Sequence, residues 1–366
     1  MKNKIYIVFF AILTLIGLLF ITNFTVYEAI ISIFKLYNYS LVIALILAGL
    51  SICLVISFVI GRDLYNKFSQ IFYLVSMIWL GYFGYLLITS FAYFITLPFS
   101  GAYAQVIGCA LFALATCVSI YGVIHGKKIY IKHIPITIPN LPASWRGRKI
   151  AFISDVHIGQ INGEKFLKKI IEKVQSVSPD VVFIGGDLYD GSETPKILKL
   201  IEPLKKLSSP LGTFFVSGNH EEYGNHELFL QTIRETGIRV LNNEKILLDG
   251  IQLIGVDFHT TAKKSEFKKI LDRVELNTSI PSILLKHAPD NINVAKDAGI
   301  SLQISGHTHR GQQWPFGYIA ALMFGKFTYG LHMLGNTQVY TSSGVGTWGP
   351  PLRVRTNSEI ILFHLI

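Results

Sequence analysis

At 366 residues, 51% hydrophobic and formally +10, the chain is too long and too apolar to be one soluble domain. Charges nearly vanish in the first third. Residues 1–124 hold five basic and two acidic side chains, which leaves 28 basic against 21 acidic, or +7, for a water-soluble part of ordinary size. Cys53, Cys109 and Cys117 all lie in the apolar third, which argues against a disulfide framework without fixing the compartment. The basic balance suits anionic lipids or phosphorylated substrates as well as a plainly solvated surface. No recognition module or basic–aromatic motif points to nucleic acid, so no nucleic-acid partner is expected.

Four membrane spans are expected, at Ile5–Ile21, Leu41–Ile60, Ile71 into the Phe91–Leu97 region, and Tyr103–Ile124. Each has enough apolar length for a hydrocarbon core of roughly 30 Å. The first lacks a convincing small-residue cleavage site and reads as retained rather than as a signal peptide. Lys2 and Lys4, then Arg62 and Lys67, then Lys127, Lys128, Lys132, Arg146, Arg148 and Lys149 occupy alternate flanks, whereas the other loops offer only Lys35. Both termini are therefore expected in the cytoplasm, on a multi-pass protein of the inner or plasma membrane. Val26, Ile30, Ile33, Phe34 and Tyr37 repeat at helical spacing, as in a helix lying in the interface or an extension of the first span. The span centres carry no ionisable residue, which disfavours a transporter or channel.

Beyond the membrane part, Tyr130–Pro142 carries three prolines and reads as an edge strand or linker, since proline lacks the amide a central strand needs. Apolar runs then alternate with helical patterns. Strands are expected at Ile150–Ser154, Val181–Ile184, Thr213–Ser217, Ile251–Val256, Ser282–Lys286, Leu302–Ser305, Gln338–Thr341 and Glu359–His364. Helices are expected at Glu164–Val177, Pro195–Leu207, Glu227–Glu235 and Lys264–Arg273. The rhythm is α/β. The expected division is a membrane anchor over 1–125, a juxtamembrane segment over 126–148 and a soluble domain over 149–366.

Five of these strands stop at polar motifs: Asp155-Val156-His157, Gly185-Gly186-Asp187-Leu188-Tyr189-Asp190, Gly218-Asn219-His220-Glu221, His287-Ala288-Pro289 and Gly306-His307-Thr308-His309. Any one could be a cap or turn. Together they predict a single site, because ligands of open α/β sheets collect beyond the carboxyl ends of the strands. Carboxylates, imidazoles and an Asn oxygen suit divalent Mn, Fe, Zn or Co, with no thiolate to select a softer ion. The ligands are too many for one tetrahedral ion, and two ions roughly 3.5–4 Å apart, bridged by a carboxylate, would use them.

This ordered set, from Ile150 to His309, resembles the calcineurin-like metallophosphoesterases. Gly311-Gln312 and the run Gly344–Arg353 extend the resemblance toward a membrane-associated bacterial branch that includes UDP-diacylglucosamine pyrophosphatases. The resemblance implies a four-layer α-β-β-α sandwich behind the four-helix membrane region, and two divalent ions, Mn favoured. It implies that Asp155, His157 and His309 hold one ion, that Asn219, His287 and His307 hold the other, and that Asp187 bridges them. It also implies His220 as proton donor or phosphate ligand, oriented by Asp190, with Glu221 behind the ligands. A water acidified between two cations would attack phosphorus in line, and His220 would protonate the leaving oxygen. Metal-bound imidazoles need an acceptor on their other nitrogen, which the sequence does not identify. Protein phosphatases of the superfamily usually have Arg directly after the second Asp of Gly-Asp-x-x-Asp. Here Gly191 stands there, against a phosphoprotein substrate, and Arg310 and Arg353 become the candidate phosphate contacts.

The apolar stretch Trp314–Gly325 is too short and glycine-broken to cross a bilayer, and reads either as a lip that admits acyl chains or as a packed helix or lid. The expected activity is hydrolysis of a phosphodiester or pyrophosphate bond in a membrane-associated, nucleotide-linked or other lipid substrate. The alternatives are a soluble phosphomonoester or cyclic nucleotide as substrate, or a catalytically silent metal-binding membrane sensor.

Overall fold

In the computed structural model, residues 2–191 and 195–366 are described, and in the N-terminal helices the described side chains exclude 1–13, 15, 16, 60, 62 and 63. Lys2, Lys4 and Arg62, used above for orientation, and most of the first expected span fall among the excluded side chains.

The chain divides into two compact units, 1–59 with 71–121, and 60–70 with 122–366. The first is built from α1 (Lys2–Phe34) and most of α2 (Ser40–Asp63), α3 (Lys67–Ser100) and α4 (Ala104–Gly126), whose residues 60–63, 67–70 and 122–126 belong to the second. Among the described residues, three stretches are long and apolar enough to cross a membrane: Gly17–Phe34, Tyr37–Val59 and the 60-residue Lys67–Gly126, which runs through α3 and α4. Glu28 lies in the described first stretch, beyond the expected span Ile5–Ile21. Val26 and Ile33 are buried in an unbroken α1, so this region extends the apolar helix rather than forming a separate interfacial one. Ser51 donates to Asn23 at 3.0 Å, and hydroxyl pairs join Ser32 to Tyr93 at 2.8 Å and Tyr82 to Thr116 at 2.9 Å. Such interhelical bonds fix helix pairs where the hydrophobic effect does not discriminate.

In the second unit, alternation along short, largely buried strands sets the layers. On β2 (Lys149–Ile153), Ile150 and Phe152 face one core while Ala151 and Ile153 face another. β3 (Val181–Ile184) repeats the pattern, with Val181 and Phe183 opposed to Val182 and Ile184. A strand buried on both faces reads as a continuous apolar run. With β1 (Ile129–Ile136), β4 (Thr213–Phe215), β5 (Arg239–Val240) and β12 (Ser358–Leu365), they form a sheet ordered β1-β12-β2-β3-β4-β5. β1, carrying Pro135, lies at its edge.

The second sheet, ordered β10-β11-β9-β8-β7-β6, comprises β6 (Glu244–Leu248), β7 (Ile251–Gly255), β8 (Ser282–Leu285), β9 (Leu302–Ser305), β10 (Gly330–Leu334) and β11 (Thr337–Thr341). Its Leu253, Leu285 and Ile304 meet Phe152 and Phe183 between the sheets. Outside the first sheet lie Leu167, Ile170 and Val174 of the helix Glu164–Ser176, and Phe229 and Ile233 of the helix His226–Arg234. Outside the second lie Phe267 and Ile270 of the helix Lys264–Arg273. Helix, sheet, sheet and helix thus stack as four layers. Within each sheet the neighbours β2, β3, β4 and β7, β8, β9 run parallel, so their carboxyl ends share an edge.

Candidate metal centre

The loops leaving β2, β3, β4, β8 and β9 bring Asp155, His157, Asp187, Asn219, His220, His287, His307 and His309 together, as the sequence predicts. Among the described residues, three groupings have potential ligand atoms within 4.8 Å of one another: Asp155, His157 and His309; His157, Asp187 and His220; and Asp187, His287 and His307. Asp187 Oδ2 lies 3.3 Å from His287 Nε2 and 3.8 Å from His157 Nε2, so it faces both sides of the site.

The spacings fit ions. An ion about 2.1 Å from two ligands at right or tetrahedral angles holds them about 3.0–3.4 Å apart. His157 Nε2 and His309 Nε2 are 3.1 Å apart, His287 Nε2 and His307 Nδ1 3.2 Å, and Asn219 Oδ1 lies 2.9 Å from His307 Nδ1. The backbone is strained to bring these groups inward: Asp155, His157, Asp187, His307 and His309 all have φ between 47° and 70°. This left-handed region is uncommon outside glycine and concentrates at functional sites. A Cβ at Gly218 would strike the Asp187 carboxylate, and one at Gly306 would strike that of Asp155. Both glycines are therefore needed for close approach.

Acceptors behind the imidazoles now have names. His287 Nδ1 donates to the Gly185 carbonyl at 2.7 Å, which turns Nε2 inward. Asn219 Nδ2 donates to the Tyr223 hydroxyl at 2.9 Å, which aims Oδ1 at the imidazoles. Tyr223 was not legible as a site residue, apart from its position one helical turn beyond Asn219. Asp190 Oδ1 stands 3.4 Å from His157 Nδ1 and 3.6 Å from His220 Nδ1, so it faces both rings rather than His220 alone.

Glu221 is fully buried and accepts four backbone N–H groups, from Asp187 at 3.0 Å, Leu188 at 2.8 Å, Tyr189 at 3.1 Å and Gly218 at 2.7 Å. It clamps the loop after β3 to the loop after β4.

The electrostatics separate the histidines. Burial and the neighbouring His287 push the His307 imidazole down to about 3, and burial with His157 pushes His309 well below its ordinary value. Both imidazoles are held neutral, the form that can bind a metal. Burial also opposes charge on His287, but the Asp187 carboxylate outweighs it and raises the imidazole to about 9. Burial favours the neutral acid at Asp187, and His287 and His157 overcome it, holding the carboxyl well below its usual range. His220 is pushed down by burial and by His157.

Two expected phosphate contacts fall elsewhere. Arg353 is fully buried, and its guanidinium donates to the carbonyls of Ser343, Gly344 and Gly346. It braces the loop whose Gly346 N–H donates to Asp155 O, and no substrate reaches it in this arrangement. Arg310 is exposed and lies 4.4 Å over the Tyr329 ring, outside the pocket of about 420 Å³ above the ligands. Tyr223, Phe316, Trp348 and Pro350 wall that pocket with apolar surface. The helix Gly317–Phe324, which continues this wall, buries none of its residues, so the stretch is not a packed core helix.

Residues 148–311 match the family model for calcineurin-like phosphoesterases. An uncharacterized metallophosphoesterase of Helicobacter pylori (strain J99) is 38% identical over 240 residues, 64% of either chain. Another from Bacillus subtilis, YkuE, is 32% identical over 235 residues, which is 62% of this chain and 81% of that one. A Danio rerio protein named as a transmembrane protein with a metallophosphoesterase domain is 32% identical over 282 residues, 71% of this chain and 62% of that one. The chain thus spans somewhat under two thirds of the Helicobacter and Danio relatives.

Proposed function

Because the chain belongs to the calcineurin-like metallophosphoesterase family, we propose that it is a membrane-anchored phosphohydrolase that uses two divalent ions to cleave a phosphodiester or pyrophosphate bond in a lipid-linked substrate. The observation that carries this reading is the chain of three overlapping clusters among the described residues, the first two sharing His157 and the last two Asp187, beneath an apolar-walled pocket. Asp155, His157 and His309 would hold one ion, Asn219, His287 and His307 the other, and Asp187 both. The ions, when bound, supply Lewis-acid activation of water and neutralise charge on the phosphoryl oxygens.

The chain's own residues do the rest. Gly185 and Tyr223 orient His287 and Asn219, and Glu221 keeps the two central loops in register. His220, which lines the pocket beside Trp348, would protonate the leaving oxygen. No arginine lines this pocket among the described residues, and Gly191 occupies the position after Asp190. That favours a substrate whose phosphate is gripped by the ions and whose apolar part rests on Phe316 and Trp348. On this reading α1–α4 cross the bilayer four times, with the domain over 149–366 in the cytoplasm. The expected substrate class is a nucleotide-diphosphate-linked diacyl lipid.

The test uses the detergent-purified chain and its Asp187→Asn variant with Mn²⁺, assayed on bis-(p-nitrophenyl) phosphate and on UDP-diacylglucosamine in mixed micelles. Turnover of the lipid that is lost in the variant supports the full reading. Turnover of the aryl diester alone keeps the phosphodiesterase and removes the lipid. No metal-dependent turnover of either contradicts both.

A further inference from the structure

Phe324 packs edge-on against the His307 ring at 5.8 Å, but the rest of the helix Gly317–Phe324 and the cavity at its base lie outside the residues that line the metal pocket. The helix is apolar all round, with Tyr318 and Ile319 exposed, Leu322 87% exposed and Met323 72% exposed. A helix that packs on a soluble core buries one face. An exposed apolar patch of this kind marks a contact with a membrane or another apolar phase.

At its base lies a second cavity, of about 350 Å³, that shares no lining residue with the metal pocket. Arg310, Lys326 and Arg355 line it, and no Asp or Glu does among the described residues. The nearby carboxylate, Glu359, is already committed: it accepts from the Tyr329 hydroxyl at 2.9 Å and from Ser343 N–H at 2.9 Å. Lys326 donates to the carbonyl of Met333 and lies 5.2 Å over the Phe327 ring, with no ion-pair partner among the described residues, and Arg310 stacks on Tyr329. Arg355 is exposed on left-handed backbone, with no ion-pair partner among the described residues. Three cations gathered round one cavity repel each other unless an anion lies between them. A phosphate oxygen is a strong acceptor for such donors.

The membrane side of the argument comes from the same unit. Trp314 and Tyr318, amphipathic aromatics of the kind that sit at bilayer interfaces, line this cavity. The Arg353 N–H, two residues before Arg355, donates at 3.0 Å to the Gly122 carbonyl in the closing turns of α4. The last turns of α4, residues 122–126, therefore belong to the same unit as the cavity.

We propose that this cavity binds the phosphate of an anionic membrane lipid, while Gly317–Phe324 enters the acyl layer beside it. The inference rests on the membrane-anchored reading above but not on the reaction. Basic residues next to apolar helices recognise anionic headgroups in this way.

The test measures retention of radiolabelled dioleoyl phosphatidic acid by the full-length, metal-loaded protein in neutral detergent micelles. The native chain should retain the lipid, and the Lys326→Gln/Arg355→Gln variant should bind it about tenfold more weakly. The charge-keeping Lys326→Arg/Arg355→Lys variant should stay close to native. Unchanged unfolding midpoints exclude a folding defect in either variant. Equal retention by the neutralised variant overturns the proposal, as does equal retention of dioleoylglycerol, which would indicate an apolar surface alone. Displacement by inorganic phosphate at the lipid's own concentration also overturns it, in favour of a soluble-anion site. Loss of retention in His309→Ala, with the neutralised variant unaffected, would place the lipid at the metals instead. The readout is binding, so its failure leaves the phosphohydrolase reading standing, and lack of turnover leaves this result intact.

Discussion

Replacing Glu221 with Gln keeps the shape of the side chain and removes one acceptor oxygen. In the native chain the two carboxylate oxygens accept from Leu188 and Tyr189 on one side and from Asp187 and Gly218 on the other. The amide keeps one oxygen, and its NH₂ group faces two N–H donors that lose their acceptor. Stranding buried donors costs about 1–3 kcal/mol each, so a loss of about 3 kcal/mol is a moderate expectation. At about 2–4 °C per kcal/mol for a domain of this size, the unfolding midpoint should fall about 6–12 °C. Scanning calorimetry of the solubilised protein reads this directly, the relevant transition being the one that moves when a chelator is added. Bound metal, measured by elemental analysis, should fall too, because the loosened loops carry Asp187 and Asn219. A midpoint within about 2 °C of native, with full metal content, would refute the claim that this carboxylate joins the two loops.

Other consequences can be checked alongside. His220→Ala should lower kcat by about 10²–10⁴-fold for a diester with an alkyl leaving group and much less for p-nitrophenol, which leaves without a proton; equal losses would argue against a proton donor. His287 is raised to about 9, so it carries a proton below that pH, and an incoming ion must displace it. Metal affinity should therefore rise at least about tenfold from pH 6.5 to 8.5 in calorimetric titrations, and a flat profile would remove His287 from the ligand set. Replacing Phe316, Leu322 and Phe324 together with Ser should cut turnover of a lipid substrate while sparing a soluble aryl diester. Equal loss of both would show that these residues support the fold, not the lipid.

Much of this architecture could be read before any coordinates because its strands are buried on both faces. Val181–Ile184 is an unbroken apolar run and Leu302–Ser305 is buried throughout, and glycine alone separates each from a candidate ligand, Asp187 and His307. The two-residue β5 and the half-exposed β6, Glu244–Leu248, lack that signal and were not expected. The same limit applied to Arg353. An arginine beside a glycine-rich run can grip a phosphate or brace carbonyls, and only the fold shows it donating to Ser343, Gly344 and Gly346. The partner of His287 was equally hidden, because a backbone carbonyl, here that of Gly185, can come from any residue type. For Gly317–Phe324, apolar composition is the same whether a helix is packed or protruding. Burial alone distinguishes them.

The central claim is that Asp187 joins two ions in one site. Elemental analysis of the purified, Mn²⁺-loaded chain and of its Asp187→Asn variant tests it most directly. The account predicts two ions per native chain and a sharp loss of both occupancy and diester turnover in the variant. A single ion in the native chain, or two ions and full turnover in the variant, would contradict it.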